Sequence, residues 1–102
     1  MSYWAVLRTR GPRWDHSRKL REQDEWDAHA AFMENLAAEG FVVLGGPLGD
    51  DHVLLIVDAE SEDEIVPRLA PDPWVPMELL EVESVRRWTV LLRAPGPAAP
   101  SP

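Results

Sequence analysis

Apolar and polar positions alternate along this chain in blocks whose spacing predicts six elements. The run "YWAVLR" at residues 3 to 8 is apolar and β-prone, and predicts a first strand. From Thr9 to Gln23 the composition turns polar, with Gly11 and Pro12 as breakers, so a long loop is expected. Loops of that length inside compact domains are more often functional than idle. "DEWDAHAAFMENLAAEG" (24 to 40) keeps helical spacing at Trp26, Met33 and Leu36, with Ala30, Phe32 and Ala37 alongside; Asp24 stands as its N-cap and Gly40 as its stop. "FVVLGGPL" (41 to 48) and "VLLIVDA" (53 to 59) read as strands joined by a short turn, hence an antiparallel hairpin. "SEDEIVPRL" opens with Ser61 and Glu64 in capping-box spacing, and Pro67 makes this second helix short or kinked. "PDPWVP" (71 to 76) is a proline-braced loop, and "ELLEVESVRRWTVLL" (78 to 92) is a fourth strand with a break expected near Arg86. The folded domain is expected over residues 1 to 93, with the proline-rich stretch 94 to 102 a disordered tail.

The order βαββαβ predicts an α+β, ferredoxin-like fold, an antiparallel sheet with two helices on one face. A sheet with one wet face should alternate apolar and polar residues, yet Tyr3 to Leu7 and Val53 to Val57 are apolar throughout. Both sheet faces are therefore expected to be covered. Two helices cover only one, so a second copy of the chain is the simplest cover for the other, in a homodimer with sheets face to face.

Composition narrows the function classes. The chain has 102 residues, the size of one domain, and no cysteine, which leaves out disulfides, a thiol nucleophile and cysteine-based zinc sites. No apolar run reaches a membrane span and the first residues lack the pattern of a secretory signal, so a cytoplasmic location is expected. A net charge of −8 argues against nucleic acid as a partner. The charge is uneven, however: residues 1 to 21 carry Arg8, Arg10, Arg13, Arg18, Lys19 and Arg21 against Asp15 alone, a balance of +5 that leaves −13 on the remainder. Such a cluster is either a solvated basic loop or a positive surface that draws in a small anionic ligand.

Candidate chemistry is sparse. His29 lies three residues from Trp26 and Phe32 and four from Met33, on or beside the helix face that meets the sheet. A lone histidine there is either a satisfied structural residue or a functional one. No histidine cluster has metal-ligand spacing, so no metal is expected, and no serine sits in a nucleophile elbow. The Gly-Gly at 45 and 46 precedes a proline and a hairpin, so it is not a dinucleotide fingerprint. Asp72, fixed between Pro71 and Pro73, is a turn starter. Placed beside His29, it would orient the imidazole for proton transfer.

Taken in order, "YWAVLR", "HAAFMENLAAEG", "FVVLGGPL", "VLLIVDAES", "DPW" and "LEVESVRRW" resemble the YCII-related family over residues 3 to 88. Each piece alone is weak; the ordered set of helix histidine, strand-end Gly-Pro and Asp-Pro-aromatic is specific. The resemblance implies a dimeric α+β barrel of ferredoxin-like subunits, similar to muconolactone isomerase. It also implies that His29 and Asp72 share a pocket, with Gly46 and Pro47 lining it. Trp74 stands where phenylalanine is more usual, Glu78 where glycine is frequent, and Pro67 interrupts a helix usually free of it. The basic loop with Arg13, Trp14 and Arg18 is longer than usual, a candidate lid. The implied activity is open, because most relatives have no assigned reaction and one characterised kind eliminates chloride from a chlorinated hydroxyquinol. Two functions follow. One is a small enzyme of the lyase or isomerase type, with a His29–Asp72 dyad, Arg8 at the strand end and Trp14 and Trp74 on an anionic or phenolic substrate, and no cofactor. The other is a non-catalytic small-molecule-binding or accessory dimer.

Overall fold

The computed structural model describes residues 2 to 95. In chain order it has strand β1 (Tyr3–Arg10), helix α1 (Trp26–Ala38), strands β2 (Val42–Leu48) and β3 (His52–Asp58), helix α2 (Ile65–Leu69) and strand β4 (Leu80–Trp88). The four strands form one antiparallel sheet in the order β2-β3-β1-β4. This is the expected ferredoxin-like α+β arrangement, and no helix among the described residues is long and apolar enough to cross a membrane. The expected tail from residue 94 falls, from residue 96 onward, outside the described residues.

Pairing register decides which side chains meet the helices. Trp4, Val6 and Arg8 sit opposite Val57, Leu55 and Val53 and share one sheet face. There Trp4, Val6, Leu55 and Val57 join Leu36, Phe41, Ile65 and Leu69 in the main core, against which Phe32 and Met33 of α1 also rest. The Trp4 indole donates to the Ala59 carbonyl at 3.0 Å, tying the start of β1 to the end of β3. The opposite face presents Ala5, Leu7, Leu54 and Ile56, with Leu44 and Leu48 of the edge strand more than half exposed.

Several local expectations are corrected. β1 runs on to Arg10, and the loop after it contains a 3-10 turn at Leu20–Glu22. Asp24 does not cap α1. The chain enters the helix through Glu25 at φ 60°, while Asp24 gives its carboxylate to Arg18 and its carbonyl to the Trp74 indole. Gly40, at φ 83°, does end α1: the Gly40 and Phe41 amides return to the Ala37 and Leu36 carbonyls, a geometry that favours glycine. The Ser61 side chain makes no capping bond, because the segment opens as a 3-10 turn and α2 starts only at Ile65. That late start leaves Pro67 in the first turn, where its missing N–H costs nothing. The irregularity in β4 lies not near Arg86 but opposite Leu7 and Arg8, with Glu83 as the extra residue.

Candidate functional site

Asp72 and His29 are 43 residues apart in sequence and meet in the interior. The His29 Nδ1 lies 2.9 Å from each carboxylate oxygen of Asp72. The Asp72 carboxylate accepts two further hydrogen bonds, from the Trp74 backbone N–H at 2.9 Å and from the Arg8 Nη2 at 3.0 Å. The first follows directly from the motif, since an aspartate side chain readily takes the N–H two residues on in a turn. The second follows from the even-numbered face of β1, which carries Arg8 inward beneath α1, next to the bulge of β4.

Arg8 and Asp72 are both fully buried. Burial pushes the Asp72 carboxyl up, but the hydrogen bonds from His29 and Trp74, with the charges of His29 and Arg8, prevail and hold it below the usual carboxylate range. Burial lowers the pKa of Arg8, with Asp72 opposing the shift. An ionised Asp72 is acceptor only, so the His29 Nδ1 facing it carries the proton and the lone pair of the neutral ring resides on Nε2.

The imidazole is fixed on its face as well as at its edge. It stacks on Trp74 with centroids 3.8 Å apart and planes 4° from parallel, and Trp26 tilts against both rings at 5.7 and 5.8 Å. Trp74 is completely buried and its indole donates to the Asp24 carbonyl at 2.7 Å, so the platform under His29 is itself anchored to the entrance of α1.

Beside this group, between α1 and strands β2 and β3, lies a cavity of about 400 Å³. His29, Arg8, Trp26, Met33, Gly46 and Pro47 border it, and so do Arg21 and Glu34. Gly45 belongs to the same wall, where a Cβ would come within 2.7 Å of the Leu55 Cδ2. The His29 side chain keeps 11% of its surface exposed while Asp72 keeps none, so the imidazole alone of the pair reaches the cavity. Within the cavity wall Arg8 has spare donor capacity: among the described residues Nη1 meets only the Met33 sulfur at 3.8 Å and Nε has no partner. A thioether is a weak acceptor.

Trp14, expected from the sequence to touch substrate, does not border the cavity. It is buried against the edge of Trp74 at 5.5 Å, with the Arg10 guanidinium 3.9 Å over its own ring. The basic loop is pinned from within by Gln23, whose amide donates to the Asp15 and Arg18 carbonyls and whose oxygen accepts the Asp15 N–H. Sequence reasoning missed Gln23, Trp26 and Met33 as parts of the site and placed Arg21 only within the basic cluster. Trp26 and Met33 had a signal in their helical spacing with His29; a lone glutamine in a polar loop has none, and a charge count does not tell Arg21 from the other five bases. No group of three or more histidine, cysteine or acidic side chains among the described residues is arranged to hold a metal ion.

Comparison with known proteins sets this geometry among relatives. The model of the YCII-related domain matches residues 4 to 89. The solved structure of 5-chloro-2-hydroxyhydroquinone dehydrochlorinase from Burkholderia phenoliruptrix, in complex with 2,5-dihydroxybenzoquinone, is similar, with 32% sequence identity and a TM-score of 0.60 over 83% of this chain and 93% of that one. No curated protein sequence matches.

Proposed function

The chain belongs to the YCII-related domain family, and on that premise we propose that it is a small enzyme of the lyase or isomerase type, acting on a small anionic or phenolic metabolite by His–Asp proton transfer. The observation that carries this reading is the cavity-facing imidazole held 2.9 Å from a buried carboxylate. Nε2 of His29 removes a proton from the substrate; Asp72 keeps Nδ1 protonated and stabilises the imidazolium that forms, and Trp74 holds the ring plane. The electron pair left on the substrate then expels a leaving group or shifts a double bond, and a proton held at Nε2 can be returned. Neither step calls for a metal or a nucleotide. Arg8, with donors not used by Asp72, steadies negative charge developing on a substrate oxygen, and Gly46 and Pro47 form the wall opposite α1. The similar dehydrochlorinase, with its quinone ligand, supports a ring-shaped substrate.

The unit of function in this proposal is a homodimer closed over the sheet face that bears Ala5, Leu7, Leu54 and Ile56, an apolar surface that the helices do not cover.

The test is chloride release from 5-chloro-2-hydroxyhydroquinone and related hydroxyquinols by the wild type and His29→Gln. A positioned general base contributes on the order of 10² to 10⁴ in rate, and a loss of that size is expected. A His29→Gln protein with wild-type melting and wild-type turnover would remove His29 from the mechanism. A second reading, a non-catalytic binding or accessory module, draws on the depth of the pair, since Asp72 is 0% exposed. On that reading hydroxyquinols raise the melting temperature without being consumed.

A further inference from the structure

Six basic side chains crowd the first 21 residues, and the fold disposes of them unequally. Arg8 is neutralised by Asp72, Arg18 pairs with Asp24 at 3.0 Å, and Arg10 lies over Trp14. Arg13 and Lys19 are exposed and do not border the cavity. Arg21 does border it, and among the described residues no carboxylate lies within ion-pair distance of its guanidinium. What it does meet is Trp26, with the guanidinium carbon 5.7 Å from the ring centroid.

That position continues the aromatic wall of the site. Trp26 tilts against both His29 and Trp74, so the wall runs from the reactive imidazole to the indole under Arg21. Three residues, just under one helical turn, separate Trp26 from His29, about 4.5 Å of rise, which is the scale of a single six-membered ring. Farther along the same helix Glu34 also borders the cavity, eight positions past Trp26 and so about 12 Å along the axis. The cavity mouth is thus positive at the Trp26 end and negative at the Glu34 end. Deeper in the cavity Arg8 is already paired with Asp72 and serves the edge of the substrate nearest His29, so the charges that distinguish the two ends of the mouth are Arg21 and Glu34.

We propose that Arg21 is a specificity-determining residue, selecting ring substrates that carry a carboxylate or equivalent anionic substituent on the edge away from His29. This rests on the reading of the cavity as a substrate site. A ring laid along Trp26 places one edge at Nε2 of His29 and directs its anionic group to Arg21, while Glu34 disfavours the reversed orientation. Arg21 is exposed, so the preference is modest: ion pairs of this kind are worth up to about fivefold in affinity, and the value falls as salt rises.

The experiment measures, by calorimetry on the full chain, the affinity ratio of 2,5-dihydroxybenzoate to 1,4-dihydroxybenzene for the wild type, Arg21→Gln, Arg21→Lys and Glu34→Gln. The expected result is a ratio of about five in the wild type at low salt, near one in Arg21→Gln, intermediate in Arg21→Lys, and larger than wild type in Glu34→Gln. Equal affinities in the wild type, or a ratio that survives in Arg21→Gln, overturns the assignment while leaving the cavity as a ligand site. If neither probe binds the wild type, the cavity reading fails and this inference fails with it.

Discussion

Replacing Asp72 by asparagine is the sharpest probe of the buried cluster. The substitution keeps shape and leaves an oxygen for the Trp74 N–H, but it removes the carboxylate that, among the described residues, alone pairs with Arg8. Arg8 is 0% exposed, with Nε already lacking a partner, so the variant strands a cation in the interior. Removing one partner of such a pair costs about 3 to 5 kcal/mol. Domains of this size have about 5 to 15 kcal/mol of stability in total, and 1 kcal/mol moves the melting temperature by about 4 to 8 °C. Asp72→Asn should therefore melt at least 12 °C or so below the wild type. Arg8→Met combined with Asp72→Asn removes both charges and should regain most of the loss, a coupling of more than about 2 kcal/mol in a double-mutant cycle. Urea unfolding followed by tryptophan fluorescence reads all four proteins, with Trp74 stacked on the affected histidine as reporter. A cost below about 1 kcal/mol for Asp72→Asn, or a double variant no more stable than the single, would refute a charge-compensated core.

Three further outcomes follow from the same geometry. Because the folded-state pKa of Asp72 lies below its unfolded value, its contribution to stability is complete above the ordinary carboxylate range and is lost as pH falls through the folded value; urea midpoints below pH of about 4 should fall more steeply for the wild type than for the Arg8→Met/Asp72→Asn protein, and parallel curves would contradict this. Gly45→Ala places a methyl 2.7 Å from the Leu55 Cδ2 and should cost about 1 to 3 kcal/mol, partly recovered by Leu55→Val, as measured by chemical denaturation. Leu54→Glu puts a charge in the middle of the open sheet face and should turn a dimer into a folded monomer in sedimentation velocity; a wild type that already sediments as a monomer at micromolar concentration refutes the face-to-face assembly.

The parts of the molecule legible in the sequence are those that periodicity reports on. Strand and helix order, the hairpin and the Gly40 stop all depend on local spacing, and each appears where the pattern puts it. The β4 bulge was also written there, in "LEVESV", where the apolar alternation slips by one so that Val82 and Val85 both reach the core side. What periodicity does not carry is a partner. Asp24 has the composition of a cap, yet the Trp74 indole 50 residues away takes its carbonyl and Arg18 takes its carboxylate. Arg8 lies in an apolar run and is buried with it, but only the return of the chain at residue 72 supplies the counter-charge that makes its burial tolerable. His29 and Asp72 could be matched through family resemblance, whereas the stacking of Trp74 beneath the ring, and the selection of Arg21 from six bases, depend on three-dimensional placement alone.

The Arg8–Asp72 pair also separates the two functional readings. A buried ion pair is weak as a stabiliser, and well-packed apolar replacements of similar volume are often neutral or better by 1 to 4 kcal/mol or so. The chain nevertheless buries both charges and leaves Nε of Arg8 unsatisfied beside a cavity. If the cluster served stability alone, Met and Asn at positions 8 and 72 would fulfil its purpose and the protein would lose nothing. If it serves proton transfer, the same replacement leaves the fold sound and the site empty of chemistry. Asparagine can hold the ring of His29 but cannot balance an imidazolium, and methionine cannot receive charge on a substrate oxygen. The Arg8→Met/Asp72→Asn protein should therefore unfold within about 2 kcal/mol of the wild type, while chloride release from hydroxyquinols falls by the 10² or more typical of a lost acid–base group. A stable double variant that retained wild-type turnover would place the chemistry elsewhere in the molecule.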